Sequence, residues 1–296
     1  MTPLRHGVTF VALLTLCTLC LWHCFAETLA LSLRSDEYTH IALILPVCAT
    51  LIWLQRNRLK SALSWEWRAA LFLGLAFVFM IASKMAGTLS PDVQRALGML
   101  SLVVLWIAAF ILCFGTQAAR VVLFPLGFLF WMVPFPSRFV AALVHLLQQG
   151  STVATVLLFH VIGVLISRDG FMLSIPGLTI EVAKECSSIR SSLMLLVTSM
   201  VLAQVLLRAP WRRLAVVLTA ILLSVAKNAI RIFTITMLGP RVDKGFLTGR
   251  LHHDGGVVFF GIALGAIVLV IRYLSARDQG LPNAGKEQTE LAILVG

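Results

Sequence analysis

Three short polar stretches in an otherwise apolar chain hold the residues able to do chemistry. The first runs from Glu181 to Ser192 and contains Cys186, flanked by Lys184, Ser187, Ser188 and Arg190. A cysteine entering a helix meets free backbone N–H groups and the positive end of the helix dipole, which favour thiolate over thiol. Lys184 and Arg190 add positive charge, and Ser187 or Ser188 can cap the helix. The same Cys186 would serve equally as an inert small residue in a capping segment.

The second stretch is Lys227-Asn228-Ala229-Ile230-Arg231, inside an apolar run. A cation near mid-membrane costs roughly 2.5–3.5 kcal/mol and normally faces a partner or a wet cavity. Asn228 and Arg231 share a helical face, and Lys227 and Arg231 lie one turn apart. The bland alternative is a hydrogen-bonded clamp between helices. The third stretch, Gly249 to Gly256, is expected as a loop before the last span and carries His252, His253 and Asp254. A histidine there can act as general acid and base, or merely cap a helix at the interface. Two histidines and an aspartate lack a convincing third ligand spacing, so no metal is expected, and no cofactor either. A thiolate, a fixed cation and an imidazole form the set that acyl transfer needs. A fourth polar cluster, Asp36, Glu37, Tyr38, Thr39 and His40, sits between the first two apolar runs.

The elements that must position these residues are membrane helices. Of the 296 residues, 59% are hydrophobic and 12% charged, with a mean hydropathy of +0.95. Soluble domains carry about 25% charged residues. The composition excludes a soluble enzyme, a disordered chain and a secreted disulfide scaffold, leaving an all-α polytopic membrane protein. The net charge of +11 resides mainly in short loops. It therefore reflects topology and anionic headgroups, and no nucleic-acid partner is expected. Five of the six cysteines, Cys17, Cys20, Cys24, Cys48 and Cys113, lie in apolar runs as packing residues.

About eight spans are expected: Thr9 to Leu33, His40 to Gln55, Arg68 to Ser83, Arg95 to Gly115, Val121 to Val133, Ser191 to Leu207, Leu214 to Leu238 and Gly255 to Leu274. The first reads as a retained helix, because its apolar stretch is longer than a signal core. Between Pro134 and Glu185, the segment Phe139 to Ile166 is apolar but contains His145, Gln148, Gln149 and Gly150. An outer amphipathic helical segment, a re-entrant element and further spans all remain open for it. Alternation around Pro176-Gly177 predicts a small outer-face β-hairpin over Phe171 to Val182. Arg5, then Arg56, Arg58 and Lys60, Arg120, Arg208, Arg212 and Arg213, and Arg272 and Arg277 all fall on one side. By the positive-inside rule that side is cytoplasmic, with both termini inside and the three chemical stretches outside. Residues 1–276 are expected to form one membrane-embedded domain, and 277–296 a polar disordered tail.

These motifs, in this order, resemble the exosortase/archaeosortase family of membrane transpeptidase-like enzymes. Glu181, Val182, Cys186, Ser187, Ile189 and Arg190 resemble the family's Glu-Val-x-x-x-Cys-Ser-Gly-(Ile/Leu)-Arg motif, with Ser188 in place of Gly. Asn228, Arg231 and Ile232 resemble Asn-x-x-Arg-(Ile/Val). His252 and Gly256, followed by Phe259 and Phe260, resemble His-x-x-x-Gly before an aromatic-rich helix. Asp36 to Ile41 resembles the Asp-x-x-Tyr-Ser-His-Gly loop, with Asp36 one residue closer to Tyr38 than in that pattern. Phe128 to Pro136 is also like the family.

The resemblance implies a bacterial inner-membrane cysteine protease or transpeptidase. Cys186, Arg231 and His252 would be catalytic, with Arg190, Asn228, Glu181, Asp36, Tyr38 and His40 supporting. Its partners would be exported proteins ending in a Pro-Glu-Pro type signal, an apolar helix and a basic cluster, alongside membrane lipids, with a link to exopolysaccharide production. Two other readings of the residues are a transporter, with Lys227 and Arg231 as its anion site, and a scaffold for an envelope polysaccharide system.

Overall fold

The computed structural model describes residues 3–60, 66–85, 89–175, 178–182, 189–241 and 250–276. Among the described residues, six helices are long and apolar enough to cross a membrane, or seven if one bent pair counts as a single span. The protein is thus a polytopic, mainly α-helical membrane protein. The chain divides into two compact units, Met1–Ala141 and Ala142–Gly296.

The first unit is built on α6 (Pro91–Val121), whose residues Met99, Leu102, Val103, Ala108 and Phe110 are buried. It starts on Pro91, which suits a first helical turn because a missing N–H costs nothing there. Around it lie α1 (Pro3–Cys20), α2 (Trp22–Arg34), α3 (Ile41–Leu54), α4 (Arg56–Lys60) and α5 (Ala69–Lys84). Small residues allow close approach. Ala69 and Ala76 of α5 are fully buried, and Ser101 Oγ of α6 donates to the Ala76 carbonyl at 2.8 Å. A Cβ added at Gly98 would lie 2.6 Å from Cys24 Sγ of α2.

Gly115 breaks α6 with φ 84 and ψ 167, a backbone conformation essentially reserved for glycine. The chain then turns into α7 (Leu123–Phe128) and a 3₁₀ turn (Leu129–Met132).

Several expected spans are corrected here. The first is two helices bent by 82° at Leu21, where φ −114 and ψ 28 leave the helical region. The expected span from Val121 to Val133 is only a short apolar helix. It contains Pro125, tightens into the 3₁₀ turn and stops before Pro134 and Pro136. The third expected span, now α5, has 16 residues and is also shorter than a full crossing. Conversely, most of the ambiguous Phe139 to Ile166 segment lies in one continuous helix, α8 (Ser137–Val161), long and apolar enough to cross. Its buried polar residues Gln148, Ser151, Thr152 and Thr155 do not break it, because each is hydrogen-bonded.

The second unit holds most of α8, then a three-stranded antiparallel sheet, β1 (Ser167–Asp169), β2 (Met172–Ile175) and β3 (Leu178–Glu181), in the order β1-β2-β3. Ile175 pairs with Leu178, and Met172 with Glu181. The sheet is thus one strand larger than the expected hairpin, and Pro176 and Gly177 lie outside the described residues. There follow α9 (Ile189–Leu206), α10 (Pro210–Arg241) and α11 (Arg250–Ala276). Leu195, Ala203, Val216, Ala220, Ala263 and Ile267 form their common core. The helix α11 begins at Arg250, so the expected Gly249 to Gly256 loop is instead largely its first turns. The tail 277–296 lies outside the described residues.

Candidate active site

The three-residue link after α9 turns the chain straight back into α10. At that end Arg213 Nε donates to the Leu207 carbonyl at 2.8 Å, and Arg212 donates to the Leu274 carbonyl near the end of α11 at 3.0 Å. Cations at a helix C-terminus satisfy carbonyls that the helix leaves orphaned. The contact fixes the register of α10 against α11, which run antiparallel.

The opposite end of this unit carries the candidate residues. At about 1.5 Å per residue, Arg231 stands ~28 Å up α10 from Arg212, and His252 ~33 Å up α11 from Leu274. By helical rise alone the two backbone positions lie within about one turn (~5 Å) of each other in height. The side chains of His252, His253 and Asp254 lie outside the described residues. On the α11 backbone, His252 and Gly256 are one turn apart and share a face.

The start of α9 reaches the same level through Lys227. Lys227 is 7% exposed, and its ammonium group donates a 2.6 Å hydrogen bond to Ser191 Oγ. Ser191 is in the first turn of α9, next to Arg190, which is exposed. Ser192 Oγ is buried there with no hydrogen-bond partner among the described residues. The clamp between helices weighed for Lys227 is therefore real. Neighbouring Asn228 is 1% exposed and donates to Ser151 Oγ of α8 at 2.9 Å. Arg231 is half-buried, and Ile232 beside it packs with Leu173 of β2 and Val182 after β3. The sheet thus leans on α10 one residue from the guanidinium. Glu181, the last residue of β3, is exposed.

Cys186 lies outside the described residues, four positions after Val182 and three before Ile189. Its two flanks are both placed beside the Lys227 to Ile232 stretch of α10, by the contacts of Val182 and of Ser191.

Asp36, Tyr38 and His40 belong to the first unit. Tyr38 OH donates to the Phe135 carbonyl at 2.9 Å, which ties the 3₁₀ turn Asp36–Tyr38 to the chain beyond α7. His40 is buried with its ring edge-on to Trp131, at 6.0 Å between centroids. Asp36 is exposed. Tyr38 is thus buried with its hydroxyl hydrogen-bonded. Among the described residues, no three histidine, cysteine, aspartate or glutamate side chains gather as a metal site.

A family model described as transmembrane exosortase matches residues 32–269. The chain belongs to the transmembrane exosortase family. The match covers more than three-quarters of the sequence and includes every candidate site residue. No curated protein and no solved structure matches the chain. As an exosortase, it is a membrane protein of the sorting-enzyme kind, from a cysteine transpeptidase-like family.

Two residues with a structural part in this exosortase site escaped the sequence reading as candidates. They are Gln148 and Ser151 on α8, both buried and both bonded to segments that lead into the motifs. The available signal was a pair of glutamines and a glycine in an apolar helix, since an amide in such a helix demands a partner.

Proposed function

We propose that this exosortase is a membrane cysteine transpeptidase or protease. It would cut C-terminal sorting tails of exported proteins, of the type Pro-Glu-Pro motif, apolar helix and basic cluster. The observation that supports the reading is the convergence, on the Lys227 to Ile232 stretch of α10, of the start of α9 through Ser191 and the end of the sheet through Val182.

In this mechanism the Cys186 thiolate attacks the scissile carbonyl, and the C–S bond forms as the carbonyl π electrons move onto oxygen. The Arg231 guanidinium meets that oxyanion with fixed positive charge. Collapse breaks the C–N bond and leaves a thioester, while protonated His252 gives its proton to the departing amine. His252 then takes a proton from the acceptor, whose attack on the thioester returns the thiolate. Arg190 and Glu181, on the two flanks of Cys186, position the substrate, and Asn228 holds α10 in place. Asp36, Tyr38 and His40 are assigned a supporting part in the first unit.

The orientation proposed places the active site on the periplasmic face of the bacterial inner membrane, with both termini cytoplasmic. It is supported by Arg208, Arg212, Arg213 and Arg272 clustering toward the end of α9, α10 and α11 opposite to Arg231. A connection to exopolysaccharide secretion rests on the family alone. The transporter alternative relied on Lys227 and Arg231 as an anion site, and it is weakened because Lys227 is engaged with Ser191.

The test is co-expression with a tagged protein bearing such a tail, followed by its processing. Cys186→Ala is expected to abolish cleavage at unchanged membrane level. Undiminished cleavage would reject Cys186 as nucleophile.

A further inference from the structure

Helix α8 has a seam of buried polar groups in the middle of its apolar length: Gln148, Ser151, Thr152 and Thr155, none more than 5% exposed. Thr152 Oγ1 closes on its own helix, donating to the Gln148 carbonyl, while Thr155 Oγ1 donates to the Ser151 carbonyl, each at 2.7 Å, and also reaches the Ala229 carbonyl of α10 at 3.4 Å. Gln148 and Ser151 also reach outward. Gln148 Nε2 donates to the carbonyl of Val182, and Ser151 Oγ accepts from Asn228 Nδ2 at 2.9 Å. Gly150 allows the approach, because a Cβ there would already lie 3.3 Å from Val225 Cγ1 on α10.

Val182 is held on both sides. Its N–H donates to the Phe171 carbonyl at 2.9 Å, closing the sheet, and its carbonyl is taken by Gln148. It is the last described residue before the segment that contains Cys186. Asn228 precedes Arg231 by one helical turn. One turn of α8 therefore grips both strands of the chemistry: the approach to the nucleophile and the helix of the cation.

We propose that Gln148 and Ser151 are positioning residues for the chemistry, holding to one turn of α8 the Val182 carbonyl on the approach to Cys186 and the Asn228 amide on the helix of Arg231. The proposal rests on the reading of Cys186 as nucleophile and Arg231 as its cation. Buried amide and hydroxyl groups cost stability unless paired, and apolar side chains would fill the seam more simply. Placement of reacting groups is also where small errors are most costly, since a shift of about 1 Å can cost ~100-fold in rate.

The experiment uses full-length protein in proteoliposomes with the tagged tail substrate, and separates kcat from KM. In parallel, without substrate, the rate at which iodoacetamide alkylates Cys186 is followed by mass spectrometry on tryptic peptide 185–190. Gln148→Leu and Ser151→Ala are expected to lower kcat roughly tenfold or more, with KM within about twofold, and to change the alkylation rate severalfold. Ser151→Thr, which keeps the hydroxyl, is expected to retain kcat within about threefold and a near-normal alkylation rate. Should Gln148→Leu fail to fold, the Ser151 pair carries the comparison alone.

Unchanged kcat and alkylation in the variants that fold would overturn the proposal. So would a loss confined to KM, or equal losses in Ser151→Ala and Ser151→Thr. If Cys186→Ala still processes substrate, the nucleophile reading fails separately, and the alkylation rates alone then decide whether α8 positions the segment.

Discussion

Lys227 of α10 donates a 2.6 Å hydrogen bond to Ser191 of α9, and this bond brings the start of one motif-bearing helix to the middle of another. Ser191 directly follows Arg190 and Lys227 directly precedes Asn228, so two sequence motifs 36 residues apart become neighbours. A buried ammonium is retained here where an apolar residue would be cheaper to insert.

Lys227→Met keeps the length of the side chain and removes its charge and donor. Membrane level and thermal stability should be kept or improved, while processing should fall roughly tenfold as α9 loses its tether, an effect of about 1.4 kcal/mol. Quantitative blotting of the membrane fraction beside a cleavage time course checks it. Wild-type turnover in a folded variant would make the bond structural only.

Arg231→Lys preserves positive charge but loses the planar fork of donors. If the guanidinium meets an oxyanion, cleavage should fall roughly 100-fold or more, because a point charge does not replace oriented donors. Single-turnover measurements at saturating substrate separate this from weaker binding. A variant within a few-fold of wild type would show that charge alone suffices and that Arg231 holds no oxyanion.

Gly115→Ala places a Cβ on a backbone with φ 84 and ψ 167. The strain should cost about 1–3 kcal/mol and lower the thermal midpoint. Differential scanning fluorimetry in detergent reads it directly. An unchanged midpoint would mean that α6 can straighten without the glycine.

Gly98→Ala should destabilise the packing of α2 on α6 by about 1–3 kcal/mol, because the new methyl meets Cys24 Sγ at 2.6 Å. Adding Cys24→Ala should restore most of the loss. A double-mutant cycle with purely additive terms would show that the two side chains do not meet.

Much of this arrangement is legible in the chain. Loop cations and apolar run lengths mark the membrane class, and the spacing of Asn228 to Arg231 already puts both on one face. The count of spans is not legible, for local reasons. The run from Val121 to Val133 is as apolar as a crossing, yet Pro125 and the flanking prolines shorten it, while α8 is long enough to cross although its amides make it look polar. Hydropathy weighs side chains one by one and does not record that Gln148 is satisfied by the Val182 carbonyl or Asn228 by Ser151. Those bonds join residues 34 and 77 positions apart, and only tertiary packing creates them. His40 shows the same limit: it reads as part of a polar loop, yet packs in the interior against Trp131.

The central claim is that Cys186 carries the acyl group during cleavage. Stopping the reaction with acid early in the first turnover, digesting with trypsin and weighing peptide 185–190 tests it most directly. The account predicts a peptide heavier by the acylating substrate fragment, sensitive to hydroxylamine and lost in Cys186→Ala. Rapid cleavage, with that peptide unmodified at every time sampled through the first turnover and activity surviving Cys186→Ala, would contradict it.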